Sequence, residues 1–378
     1  MTLGRRIYAR LPLTLRHHLT GWALATGVGR GYLMLALRSL EAFGCDRYAL
    51  ADLVSDMRSL DDLYPAAIRQ AKRWAASGRE QLAAEHRASA RATLRQATLF
   101  HAIAHRLAPQ EERASSFALL RTAADEMRGL DPIATRRIEV AGCPAYFRSP
   151  ADGARGCVVL VQGTNTSKDM FFDLEQMLLA RGLAVLNLDQ PGTGECLLLG
   201  RKVETLDELQ AVASGIWQFI ESQPELGIRR AGVFGFSLGG IVAPALCALD
   251  ARFGACAMVA TGLRLDAQTL DAEPPLLKAR AMELAGVHTW EEAKAIAVRA
   301  LDLTPLASAV RCPVRAFHGT RDDVLPLAGA KALFATVGSA DKRLIALAGG
   351  DHTCSRALRS RVLPELFDWL ADMLATDA

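Results

Sequence analysis

Residues 231–250, AGVFGFSLGGIVAPALCALD, join a compact apolar run to a glycine-flanked turn and then to a longer apolar segment. Ala231–Phe236 has the length and texture of a buried strand, and the run from Ile241 reads as a helix. Between them, Gly235-Phe236-Ser237-Leu238-Gly239 sets a serine in the turn from strand to helix. Such a turn strains the serine backbone and lifts its hydroxyl above the sheet. Gly235 and Gly239 spare side-chain clashes where strand and helix nearly touch. The N-terminus of the new helix turns positive potential toward an incoming carbonyl. Ser237 is thus the candidate nucleophile.

Outward from this turn, short apolar runs recur: CVVLV (157–161), LAVLNL (183–188), ACAMVA (255–260), PVRAF (313–317) and RLIAL (343–347). Longer amphipathic segments separate them. Fully apolar strands alternating with helices predict an α/β domain, a mostly parallel sheet covered on both faces. RRIEVAGCPAYFRSP (136–150) reads as a hairpin at its start. A stretch at about 264–308, with Pro274, Pro275 and a helical segment near Trp290–Ala300, lacks a strand pattern and is expected to be a cap insertion.

Residues 1–135 have a different texture. Leu53, Met57, Leu60, Tyr64, Ile68 and Ala71 form one helical stripe, with a restart expected at Asp61 or Asp62 and Pro65. Ala90, Leu94, Ala97, His101 and Ala104 form a second stripe, closed by Pro109. Phe117, Leu120, Ala124 and Met127 form a third. The expected division is a helical N-terminal domain, 1–135, and a catalytic domain, 136–378.

A serine hydroxyl is a weak nucleophile and needs a base that is itself oriented by an acid. After a nucleophile of this kind the partners come in the order acid, then histidine. HGTRDDVLP (318–326) and AGGDHTCSR (348–356) lie at the carboxyl ends of two strands, on the same rim as Ser237. His352 is the expected base. Asp322 is preferred over Asp323 as the acid on its spacing from Gly319. Asp351 adjoins His352 in sequence, and adjacent side chains on a loop rarely face each other. His318 is expected to pack beneath the acid loop. His101 and His105 are four apart on a helix, but HAIAH lacks the glutamate of a zinc protease and a third ligand, so no metal is expected. His101 reads as core, with a place in a pocket wall as the other option.

VLVQGTNTSKDMF (159–171) raises the question of a phosphate loop. That loop needs a second glycine where Ser167 stands and a hydroxyl where Asp169 follows Lys168, so the phosphate reading fails. The loop instead suits an oxyanion hole: Gly163 turns the backbone close to the substrate, and the N–H groups of Thr164 and Leu238 are the expected donors. Asn165 is the candidate substrate contact. Lys168 and Asp169 read as loop-structuring residues. Asp189 and Glu195, in DQPGTGE (189–195), are within range of the pocket but are read first as structural hydrogen-bonding groups.

The bulk properties agree. The chain has 378 residues, is 51% hydrophobic and 22% charged, and carries a net charge of +3, too weak and dispersed for a nucleic-acid surface. Eight cysteines stand singly with no CxxC, so neither zinc nor a disulfide framework is signalled, and reduced thiols in the cytoplasm are expected. LTGWALATGVG (19–29) behind Arg5 and Arg6 loosely resembles a leader, but it is short and glycine-broken. No run reaches the ~18 apolar residues of a membrane span.

In this order, LFHAIAHRL, VQGTNTSKD, GLAVLNLDQPGTGE, GFSLGG, HGTRDDVLP and GGDHT resemble the dihydropseudooxynicotine-hydrolase-like α/β-hydrolases, a group that includes the fungal polyketide-shortening hydrolases and related esterases. The resemblance runs from about residue 85 to the end. It implies an α/β-hydrolase fold with an N-terminal helical cap over the active site, the triad Ser237, Asp322 and His352, the oxyanion donors Thr164 and Leu238, and a homodimer. Members hydrolyse carbon–carbon bonds beside a ketone, or esters. Two departures stand out: the position of Asn165 is often acidic in the group, and Asp169 replaces a common glutamate.

The leading expectation is a cofactor-free serine hydrolase of a mid-sized, apolar or aromatic, polyketide-like small molecule, with no nucleic-acid or membrane partner. An acyltransferase or cyclase would use the same machinery with another nucleophile in place of water. A non-catalytic binding protein on a hydrolase fold is the third reading, against which the intact triad argues.

Overall fold

A computed structural model describes residues 40–375 without 42, 56, 58, 60, 165, 203–204, 266, 272–277, 279–280 and 283–284. The leader-like stretch, Leu60, Asn165, Pro274 and Pro275 therefore lie outside the described residues. The described residues divide into two compact units, one of residues 40–135 with 169–174, the other of 136–168 and 175–375.

The helical unit contains α1 (Arg47–Ser55), α2 (Leu63–Ala83), α3 (Arg87–Leu107) and α4 (Arg113–Arg128). The restart expected near Asp61 is real. Helix α2 begins at Leu63, so Pro65 falls in its first turn, where its missing N–H costs nothing. The buried residues of α2 are mostly small, among them Ala67, Ala71, Ala75 and Gly78. A Cβ on Gly78 would lie 2.7 Å from the Leu94 side chain, so the helices touch closely there. Arg95 of α3 is buried. Its guanidinium donates to the carbonyls of Asp169 (3.0 Å), Met170 (2.7 Å) and Phe43 (3.0 Å), and its Nε to Asp173 (3.3 Å). These bonds hold segment 169–173 as part of this unit.

His101 also lies inside the unit, 5% exposed, with no hydrogen-bond partner for Nδ1 among the described residues. Burial, then the charges of Lys72 and Arg79, hold its imidazole down to about 4. An unfolded histidine titrates near 6.5. Between these values the unfolded chain takes up a proton that the native imidazole refuses. Stability is therefore full above pH 6.5 and falls as pH drops toward 4, by up to about 3 kcal/mol from this group. His101→Phe is expected to flatten that part of the pH dependence, compared with the parent chain by urea unfolding at pH 7 and pH 4.5. An unchanged slope would show that His101 is protonated without cost.

The second unit is built on an eight-stranded sheet of order β1-β2-β4-β3-β5-β6-β7-β8. The hairpin β1 (Arg136–Val140) and β2 (Cys143–Arg148) is antiparallel and turns through Ala141 and Gly142, both at positive φ. Strand β2 also pairs antiparallel with β4 (Ala184–Leu188), and all pairs among β4, β3 (Cys157–Val161), β5 (Ala231–Phe236), β6 (Phe253–Val259), β7 (Val314–Gly319) and β8 (Lys342–Leu347) are parallel. Every residue of β3, β4 and β5 is buried, which is why these strands read as unbroken apolar runs rather than alternating ones. Strand β7 runs two residues past the expected end, so His318 and Gly319 belong to the strand.

The segment 264–308 carries an antiparallel bridge between Arg264 and Asp302. Its main helix spans Trp290–Ala300, as the sequence predicts, and is capped by Thr289, whose hydroxyl accepts from the Glu292 N–H (3.3 Å). The eight cysteines are free thiols, and burial pushes Cys157 up to about 12, which keeps it protonated. No described helix is long and apolar enough to cross a membrane.

Candidate active site

Ser237 sits at φ 55° and ψ −115°, in a region that side-chain-bearing residues rarely adopt. The glycines around it explain how the turn is tolerated. A Cβ on Gly235 would lie 2.0 Å from the Gly239 carbonyl oxygen, one on Gly239 2.5 Å from that of Val161, and one on Gly240 2.4 Å from that of Ala260. A side chain at Gly235 would push β5 and the following helix, Leu238–Leu249, apart, and one at Gly239 or Gly240 would push that helix off the ends of β3 and β6. The strain at Ser237 is held by the bond from its N–H to the Val259 carbonyl (3.1 Å) and by the Gly240 N–H on its own carbonyl (2.8 Å).

The three residues expected to act together do meet. His352 Nδ1 lies 2.9 and 3.0 Å from the two carboxylate oxygens of Asp322, and its Nε2 lies 2.8 Å from Ser237 Oγ. A carboxylate only accepts, so Nδ1 carries the proton. Nε2 is then the acceptor for the serine hydroxyl. Asp322, not Asp323, makes this contact. Its Oδ1 also accepts the N–H groups of Val324 (2.9 Å) and Leu325 (2.8 Å), which closes a tight turn around the carboxylate. Asp351 turns away from His352 and takes the backbone N–H (2.7 Å) and hydroxyl of Ser355.

Backbone bonds align the two loops. Thr320 N–H donates to Leu347 (3.0 Å) and Arg321 N–H to Gly350 (2.9 Å). Gly319 permits this approach, since a Cβ there would lie 2.2 Å from the Asp351 carbonyl oxygen.

The loop after β3 starts against the turn that holds Ser237. A Cβ on Gly163 would sit 3.3 Å from the Phe236 carbonyl oxygen and 3.7 Å from Ser237 Cβ. Thr164 follows, exposed, and Leu238 opens its helix; among the described residues neither N–H donates a backbone hydrogen bond. Lys168 is spent on structure. It is buried, with Nζ 2.9 Å from Asp189 and 2.6 Å from Glu195, and its own N–H donates to Asp189 (2.7 Å). Asp189 and Glu195 thus serve the structural role expected of them. Gly194 is required beside them, because a Cβ there would meet the Asp189 carboxylate at 2.3 Å.

A buried polar network that sequence reasoning missed supports this loop. Gln190 Oε1 accepts the Gln162 N–H and its Nε2 donates to the Gln162 carbonyl, each at 2.8 Å. Gln162 Nε2 donates to Asn187 (2.7 Å). Asn187 donates in turn to the Lys168 carbonyl (2.8 Å) and to Glu175 (2.5 Å), which also accepts from Arg148 (3.2 Å). The available signal was Asn187 itself, a polar residue in the middle of the run LAVLNL. Its amide costs free energy when buried unless it is bonded. His318 was expected beneath the loop and is there, fully buried.

Among the described residues there is no group of three or more His, Cys, Asp or Glu side chains placed to hold a metal ion.

Comparison with known proteins places the chain in a family. Residues 158–375 match the alpha/beta hydrolase family. The chain is 30% identical over 233 residues to 2,6-dihydropseudooxynicotine hydrolase of Paenarthrobacter nicotinovorans, a match covering 61% of each protein. It superposes on the crystal structure of the 2,6-dihydroxy-pseudo-oxynicotine hydrolase with a TM-score of 0.77 and 27% identity, over 89% of this chain and 95% of that one. The structure of AbyA5 shares the fold, with a TM-score of 0.62 and 20% identity over 79% of this chain and 87% of that one.

Proposed function

The chain belongs to the alpha/beta hydrolase family, and on that premise we propose that it is a serine hydrolase acting at a carbonyl of a mid-sized apolar or aromatic small molecule. The observation that carries this reading is the unbroken relay from Ser237 through His352 to Asp322, at 2.8 and 2.9 Å. Ser237 Oγ attacks the carbonyl while His352 Nε2 takes its proton. Thr164 and Leu238 N–H groups receive the developing oxyanion. Asp322 holds the imidazolium until the proton passes to the leaving group, and water then repeats the cycle on the acyl-enzyme.

The bond cleaved is that between a ketone carbonyl and its α-carbon, with an ester as the alternative substrate. Both begin with the same attack and differ in what leaves. An alkoxide departs with a proton from His352. A carbanion departs only if a second carbonyl or an aromatic ring takes up its electron pair, as in a β-diketone, after which His352 protonates the carbon. Support for the ketone reading comes from the similarity to a protein named for hydrolysing 2,6-dihydropseudooxynicotine. Product analysis with an ester and a β-diketone of matched size tests it. Cleavage of the diketone to an acid and a ketone is expected. An inert diketone beside rapid ester turnover would mark the protein as an esterase.

A further inference from the structure

The mechanism leaves one buried imidazole unused. His318, at the end of β7, has no exposed surface. Its Nδ1 accepts the backbone N–H of Thr261 (3.3 Å), so the ring proton must be on Nε2. Nε2 lies 2.8 Å from the Leu325 carbonyl and 3.4 Å from Asp322 Oδ2. The charged and titratable groups facing the ring are Asp322, from its own strand and loop, and His352, from the loop after β8. Burial lowers its proton affinity more than Asp322 raises it, so the ring is neutral and its 3.4 Å contact with Asp322 is not an ion pair.

Leu325 links the two residues: it donates its N–H to Asp322 Oδ1 and accepts the His318 Nε2–H at its carbonyl, while Nε2 itself lies close to Asp322 Oδ2. The geometry points to His318 as a positioning residue, which through Leu325 fixes the plane of the Asp322 carboxylate that orients His352. A neutral donor is well suited to this, because it steers the carboxylate without supplying a second cation that would compete with the His352 imidazolium. This inference rests on the triad reading above.

Three substitutions separate positioning from packing. Gln places a donor where Nε2 stands; Asn reaches only the Nδ1 position and keeps an acceptor for Thr261; Leu keeps neither. His318→Asn and His318→Leu are expected to lower kcat about 10- to 100-fold with KM within about threefold, and His318→Gln to restore kcat to within about threefold of the parent. The downfield proton resonance of His352 Nδ1–H against Asp322 should persist in the Gln variant and broaden or vanish in the other two. If Asn performs as well as Gln, or if kcat follows thermal stability across all variants, His318 is packing alone and the inference is overturned. Should the Leu variant not fold, the Gln and Asn pair still decides. The resonance is read in the resting protein and in Ser237→Ala alike, so failure of the nucleophile assignment is seen separately, as labelling that survives in Ser237→Ala.

Discussion

Replacing Ser237 by alanine is expected to abolish labelling by a fluorophosphonate and to lower the hydrolytic rate by on the order of 10³ or more. The size of the effect follows from the role. In the proposed mechanism the hydroxyl, at the end of the relay, is the group that forms a covalent bond, and without it His352 Nε2, now 2.8 Å from that oxygen, has no nucleophile to deprotonate. Activity that remains would come from binding and the oxyanion donors acting on water. The fold should be untouched, since alanine keeps the Cβ and carries the same backbone strain at φ 55° as serine does. Persistent labelling in the alanine variant would place the nucleophile elsewhere.

Asp322→Asn should lower the rate about 10⁴-fold while leaving the chain folded. An asparagine can present its amide N–H to His352 Nδ1, which then becomes an acceptor. The ring proton moves to Nε2, the face turned to Ser237, and the base is lost. The two backbone donors, Val324 and Leu325, still find the asparagine carbonyl oxygen, so the loop keeps its shape. Asp323→Asn is expected to change the rate little, because the carboxylate at 2.9 Å from the imidazole is that of residue 322. Equal damage from both substitutions, measured as kcat/KM on one substrate, would mean that loop integrity rather than imidazole orientation sets the rate.

The sheet, the turn that carries Ser237 and the order of serine, acid and histidine are legible in the chain before any folding is considered. Each rests on interactions local in the chain. Strands buried on both faces must be apolar throughout, and a serine at positive φ between close-packed backbones must have Gly235, Gly239 and Gly240 around it. Both signals are written in consecutive residues. The contact of His352 with Asp322 rather than Asp323 is settled in three dimensions. The two neighbours differ only in the direction their side chains take from one loop, and that direction is set by Gly319, Leu325 and the backbone bonds to the loop of residue 350. Packing likewise selects the pairing of Gln162 with Gln190 and of Asn187 with Glu175, and the link from His318 through Leu325 to Asp322. These partners come from different strands, loops and the helix Phe172–Leu179, so only the packed domain brings them together. What compels the bonds is burial: a polar group removed from water must find a partner there, and composition does not say which.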